Sequence, residues 1–339
     1  MDYKKKLKII KRSTFTDKEK MQMDKFILSI NTNGEFINSL QFLDYHPERR
    51  FIDDSIAVID VGSGIVRGIM MAAQIPGEPR TIISHPGTTF AGPVIDRKLK
   101  IEESQVVLDM LFSYYEEKYN EIKIKTTPQY YPCQPYGIID YFLLKRGYKF
   151  KAGALSNLIN ISDINTIDDI YSIFSSKRRN QVKKVYNSSK FIYQMKDTII
   201  SDAWKNLENN LMNKFGVKPT HTYDEIMDLQ IKYSERIKPY YVFSNDGQYA
   251  AFGLSFNFKN IFHTQYLDVN YKYSGEYPNL LLITEMIKEA VKNKYKYFSF
   301  GASTEDGGKV INEGLYNYKK EYGGGEIVMP VYIKQIKGE

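Results

Sequence analysis

Phe298-Ser-Phe-Gly-Ala-Ser-Thr-Glu-Asp-Gly-Gly-Lys-Val-Ile-Asn-Glu-Gly-Leu-Tyr-Asn-Tyr-Lys-Lys-Glu-Tyr-Gly-Gly-Gly325 punctuates itself more clearly than any other part of the chain. An aromatic run over 295–300 reads as a strand. Gly301-Ala-Ser-Thr304 turns out of it, and a loop with Gly307 and Gly308 follows. Asn312 stands where a helix N-cap stands, Glu313 falls in the first turn, and Gly323 stops the helix. Leu315, Tyr318 and Lys319 lie along that short amphipathic helix. Its polar groups gather at the carboxyl end of a strand, where open α/β sheets keep their ligands.

Working backwards, residues 249–258 and 261–269 read as a hairpin, 270–278 as a loop and 280–291 as a helix. The same order occurs in the first half. A hairpin over 55–75 and a strand over 80–84 lead into a Pro/Gly loop at 85–94. A helix over 102–119, a strand over 122–126, a short helix over 137–146 ending at Gly147 and a strand over 155–161 follow. Two copies this far apart imply a duplicated domain rather than a solenoid. Residues 13–50 read as mostly helical, with Met21, Phe26, Ile27 and Ile30 at near-helical spacing. Between the copies stand a helix at 167–174, a basic segment at 175–186, and a helix at 202–215 with Trp204, Leu207, Leu211 and Met212 on one side. The expected division is an N-terminal domain over 1–162 and a C-terminal domain over 163–339, both α/β with mixed sheets.

Composition agrees with two packed domains. The chain has 339 residues, 42% of them hydrophobic and 14% aromatic, which excludes a disordered chain. A net charge of +7 and a pI near 9.0 point to anionic partners (phosphates, nucleic acid, a membrane surface) or to a lysine bias spread over solvated faces. A single cysteine, Cys133, excludes an internal disulfide and reads as a small buried residue. His46, His85, His221 and His263 are too scattered for zinc. The basic start lacks the apolar core of a secretory signal, and the apolar stretch 56–75 is broken by Asp60, Gly62-Ser-Gly64 and Arg67. The expectation is a cytoplasmic protein without a membrane span.

The closing stretch resembles that of the FemAB-like acyltransferases, a branch of the GNAT N-acetyltransferase superfamily. Phe300-Gly301, Ser303-Thr304, Asn312, Gly314-Leu315, Lys319 and Gly323-Gly324 carry the resemblance. Lys218-Pro-Thr-His221 with Glu225-Ile226, and Ser176 with Arg179-Asn180, resemble further strings of that family, Ile226 standing where a Leu is usual. The resemblance implies two tandem GNAT-like domains with the site in a cleft between them. It also implies N-acyl transfer to an amine of a bacterial cell-envelope precursor, a nucleotide- or carrier-linked amino sugar or peptide. Acyl-CoA (acetyl-CoA) is the first expected donor and aminoacyl-tRNA the alternative. Neither the loop 270–279 nor the loop 90–103 carries the glycine-rich turn with which ordinary GNAT domains cradle pyrophosphate. No sustained heptad run marks the coiled coil of some tRNA-using members.

Acyl transfer to an amine requires a held donor, an amine free of its proton, a donor to the oxyanion and a proton for the leaving group. On a helix Arg179 and Lys183 share a face. With Asn180 they are expected at phosphates, or else on a solvated face. Lys319 is expected to bind phosphate or support the leaving group, or else to be an exposed helical lysine beside Lys320. Tyr316 and Tyr318 are candidate leaving-group acids or core residues. Glu305, Asp306, Glu313 and Asp268 are candidate bases that no spacing separates, Glu313 being preferred. Ser303 and Asn312 are candidate substrate contacts, Asn312 with a helix cap as its alternative. Thr88 and Gly92 belong to the loop that meets the acceptor in the family. Thr264, Gln265 and Tyr266 lie on the strand expected to carry the donor carbonyl, where a backbone N–H serves the oxyanion. A non-catalytic nucleic-acid-binding protein and a scaffold stay open beside the enzyme.

Overall fold

The computed structural model describes residues 3–336. The chain divides into two compact units: one runs up to Gly153 and takes in Val328 onward, and the other is Ala154–Ile327. The sequence placed its division at 162/163 and gave the whole C-terminal end to the second domain. A final strand is locally indistinguishable from its neighbours, so its destination is invisible in the sequence.

In the first unit, Leu7–Lys11, Ile56–Asp60, Val66–Met70 and Val94–Ile95 form an antiparallel sheet in that order. Thr81–Ile83 pairs in parallel with Glu121–Lys125, which pairs antiparallel with Val331–Gln335. The helix Ile101–Glu116 buries Val107, Leu108, Leu111 and Phe112 against Ile56, Val58 and Met70. The expected hairpin, helix and strand all form. The apolar side assigned to 13–50 does not: helix Asp17–Leu28 buries Met23 and Ile27, while Met21 and Ile30 lie in solvent.

The second unit is built on a sheet ordered Phe191–Met195, Ile237–Ser244, Tyr249–Asn257, Ile261–Val269, Tyr297–Ala302 and the end of Lys149–Asn160. Its pairs are antiparallel except the fourth with the fifth, joined in parallel only at Ile261↔Tyr297, Phe262↔Phe298 and His263↔Ser299. Beyond His263 that edge of Ile261–Val269 has no ladder partner in Tyr297–Ala302. Helix Pro278–Lys292 supplies the core of the unit with Leu280, Leu282, Met286 and Ile287, packed with Phe262, Phe298 and Tyr322. The helices Ser201–Phe215 and Tyr223–Lys232 fill the connection between the first two strands. Thr222 and Glu225 close a capping box at the start of the second, so Glu225 has a local reason for its place in the resemblance.

A bulge orients the fourth strand. Leu254 faces Tyr266 and Ser255 faces Thr264, so Gln265 is an extra residue. Side chains alternate along a strand, and one inserted residue reverses every later one. Phe262 packs into the core before the bulge, and Leu267 and Val269 do so after it. Tyr266 and Asp268 are thereby turned to the helix Ser201–Phe215, where Tyr266 meets Trp204 and Asp268 meets Asn206 and Asn210.

Candidate active site

The closing helix Glu313–Lys320 starts on Asn312, whose side chain accepts from Leu315 N–H at 2.9 Å and donates to Glu305 at 2.6 Å. Asn312 is therefore the cap. Ser303 is fully buried: its hydroxyl donates to Asn157 at 2.5 Å, its N–H to Leu155 at 2.7 Å, and its carbonyl accepts from Asn312 N–H at 2.9 Å. Ser303 braces the turn, with its hydroxyl donated to protein. The helix ends near Gly323, which has φ +86° and whose Cα lies so close to the Ile173 carbonyl that a Cβ would sit 2.2 Å from it.

Lys319 is 5% exposed. Its ammonium donates to Gly301 O at 3.1 Å and Ala302 O at 2.5 Å, the carbonyls at the end of the aromatic strand. Burial disfavours the charged form and pulls its pKa down to about 7. His263, bonded through Nδ1 to the Ser299 hydroxyl at 3.0 Å, is pushed down to about 4, by burial first and by Lys319 second. An ammonium has three donors, and two are spent on carbonyls.

Lys319 forms part of the wall of a cavity of about 320 Å³ within the second unit. Asp268 and Val269 at the end of their strand, Asn210 from helix Ser201–Phe215, Asn279 and Leu282 from the first turns of Pro278–Lys292, and Tyr318 from the closing helix also line it. The Tyr318 hydroxyl accepts from the Asn279 amide at 2.7 Å and shares a hydrogen bond with the Tyr322 hydroxyl at 3.2 Å. Asp268 is buried, and its carboxylate accepts from Asn206 at 2.6 Å, Asn210 at 2.7 Å and Tyr249 at 2.7 Å. Burial raises its pKa, and the three hydrogen bonds pull the other way.

The remaining sequence candidates scatter. Tyr316 lies two residues from Tyr318, which on a helix is the opposite side, and its hydroxyl is bonded to Glu326 and Lys320. Tyr318, not Tyr316, is the phenol at the cavity. Glu313 is exposed at the helix start. Thr264 donates to Ser299 O at 3.1 Å, and Tyr266 is held in the interior by His221 at 2.8 Å. Thr88 and Gly92 belong to the first unit. There the Thr88 carbonyl accepts from Lys125, and a Cβ on Gly92 would sit 2.8 Å from Thr126 Cα. Cys133 is half-buried.

On the basic helix Ser176–Ser188, the buried arginine is Arg178, one residue from the expected Arg179. Arg178 pairs with Glu321 and lies over the rings of Tyr318 and Tyr322, 4.7 and 4.6 Å from their centres. It fixes the last turn of the closing helix and the Tyr318 ring beside the cavity. Arg179 is half-buried and donates to Phe174 O at 3.4 Å, while Asn180 and Lys183 are exposed, Lys183 lying 5.4 Å from the centre of the Tyr171 ring. The basic run alone does not reveal which arginine turns inward. The pair Tyr318/Tyr322, spaced one turn apart, was the available sign of a stacked cation.

Residues 202–320 match the family model of the acetyltransferase (GNAT) domain. The match lies within the second unit, which has a GNAT-type fold. Among solved structures, FemX superposes with a TM-score of 0.67 at 13% identity over 97% of each chain. A tandem GNAT protein from the clavulanic acid biosynthesis pathway gives 0.52 at 11% identity over 98% of this chain and 99% of its own. The C-terminal domain of a putative lysylphosphatidylglycerol synthetase from Agrobacterium fabrum gives 0.56 at 10% over 94% and 93%. No curated protein matches the sequence. The chain thus has the FemAB-like tandem GNAT fold, and its domain is that of the GNAT-type acyltransferases. Among the described residues no helix is long and apolar enough to cross a membrane.

Proposed function

We propose that the protein transfers an aminoacyl group from a charged tRNA to a primary amine of a cell-envelope precursor, in the cavity walled by Lys319. The choice of donor rests on one observation. The turn between Ile261–Val269 and Pro278–Lys292, where a GNAT domain would cradle the pyrophosphate of CoA, spends several of its N–H groups on itself. Lys272 N–H donates to the Asn270 side chain, Tyr273 N–H to Asn270 O, and Tyr277 N–H to Ser274 O. Pro278, the first helical residue, has no N–H to offer. An anion-binding helix terminus requires free N–H groups. This reverses the donor order expected from the sequence. The lysyl group in the name of the synthetase neighbour agrees with it.

The chemistry follows from the cavity. The acceptor amine attacks the ester carbonyl, a C–N bond forms, the C–O bond to the ribose breaks, and the amine proton ends on the ribose oxygen. Lys319 turns its third donor to the developing oxyanion or the leaving oxygen, where a preorganised donor in a dry site is worth about 10²–10³ in rate. Tyr318 is the phenol placed to pass a proton. The bulge at Gln265 and the unpaired edge beyond His263 leave main-chain groups for the donor to bond.

Acetyl transfer from acetyl-CoA is the second reading, favoured by the name of the matching family model. Purified protein given an amine-bearing envelope precursor with either charged tRNA or acetyl-CoA separates the two. Product with charged tRNA and none with acetyl-CoA supports the proposal. The reverse outcome establishes acetyl transfer, and product from neither sinks both.

A further inference from the structure

Asp268 is a carboxylate held by neutral donors alone. Asn206, Asn210 and Tyr249 bond it, and among the described residues no lysine or arginine pairs with it. The orientation of both amides is fixed, because each Nδ2 also approaches the Val269 carbonyl, at 3.4 and 3.0 Å. A flipped amide would set its oxygen against two acceptors. This part of the wall therefore carries a carboxylate and a main-chain carbonyl as acceptors, and among the described residues no cation is bonded to the carboxylate. Lys214 shares the wall but is exposed, with its ammonium 5.1 Å from the centre of the Phe215 ring. A buried carboxylate without a counter-charge is costly, and three neutral hydrogen bonds offset only part of that cost.

We propose that Asp268 is a specificity site for the ammonium group of the acyl donor, so that this cavity selects aminoacyl over simple acyl groups. The inference rests on the transfer reading above and names the chemical class that the site takes. The α-ammonium lies against the Asp268 carboxylate and the Val269 carbonyl, and the apolar wall of Leu207, Leu211 and Leu282 receives an uncharged amino-acid side chain. The bulge at Gln265 is what puts the carboxylate there, since the unbulged strand would turn Asp268 to the opposite face.

Two stable analogues isolate the charge: 3′-alanylamino-3′-deoxyadenosine and 3′-propionylamino-3′-deoxyadenosine, identical but for the ammonium. Calorimetry on the full-length protein is expected to show the alanyl compound binding about tenfold tighter or more. Asp268→Asn is expected to erase the preference, since it keeps the shape and one acceptor oxygen but not the charge. The wild-type comparison stands even where that variant does not fold. Equal binding of the two analogues, binding of neither, or a preference that survives in a folded Asp268→Asn protein overturns the proposal. Turnover with charged tRNA alongside equal binding removes only the ammonium site. An ammonium preference without turnover removes only the transfer reading.

Discussion

Lys319 in the second unit and Lys125 in the first are both drawn out of water, both bonded to main-chain carbonyls, and neither is paired with a carboxylate among the described residues. Burial lowers the pKa of Lys125 to about 8 and of Lys319 to about 7. Their surroundings differ. Lys125 holds the carbonyl of Thr88 in a loop that also contains buried His85, itself pushed down to about 2 by burial, then by His46 and Lys125. Lys319 faces a cavity with Asp268 in its wall. Desolvation alone sets the ionisation of both lysines. What lies beyond each ammonium differs: a loop in one unit, a cavity in the other.

The sharpest way to break the comparison is to remove each ammonium in turn. Lys319→Met is expected to lower kcat/KM for aminoacyl transfer by about 10²–10³, the usual loss for one oxyanion donor. Lys125→Met, measured in the same assay, is expected to cost less than about tenfold, through loop order. A loss in kcat of equal size would make Lys125 a participant and dissolve the distinction.

The pH dependence of stability sharpens it. A lysine whose pKa is lower folded than unfolded destabilises the fold where both states are protonated. That penalty is relieved as pH rises above the folded pKa, because the unfolded chain then holds more protons. Between pH 7 and pH 9 the parent protein should gain roughly 2 kcal/mol relative to Lys319→Met, and roughly 1 kcal/mol relative to Lys125→Met. Urea melts at the two pH values measure both. A flat difference for Lys319→Met would mean that its ammonium stays charged and solvated.

The sequence disclosed what local chemistry controls. The strand, the Asn312 cap, the closing helix and the Gly323 stop were legible because capping and left-handed glycines are short-range. The resemblance also singled out Lys319, which lies in the cavity wall. Its burial was not legible, because an alternating Lys-Lys pair does not say which member turns inward. The strands Leu7–Lys11 and Phe191–Met195 are not legible locally, since their pairing partners lie far along the chain. The Asp268 site was illegible for the same reason: Asn206 and Asn210 lie 62 and 58 residues from it, and only the bulge at Gln265 aims it at them.

The two tyrosines of the closing helix give the smallest and most local test. Tyr318 faces the cavity and bonds Asn279, while Tyr316 bonds Glu326 and Lys320 at the surface. Removing the Tyr318 hydroxyl strips a half-buried Asn279 of its partner and takes from the cavity the phenol proposed to pass a proton. Tyr318→Phe should therefore lose about 1 kcal/mol of stability and reduce kcat severalfold. Tyr316→Phe gives up only exposed bonds, which water replaces, and should change stability by less than about 0.5 kcal/mol and leave kcat unaltered. Urea melts and steady-state rates on the two variants read both effects. A larger kcat loss for Tyr316→Phe than for Tyr318→Phe would mean that the reaction runs on the other face of the closing helix, away from the cavity that holds Lys319 and Asp268.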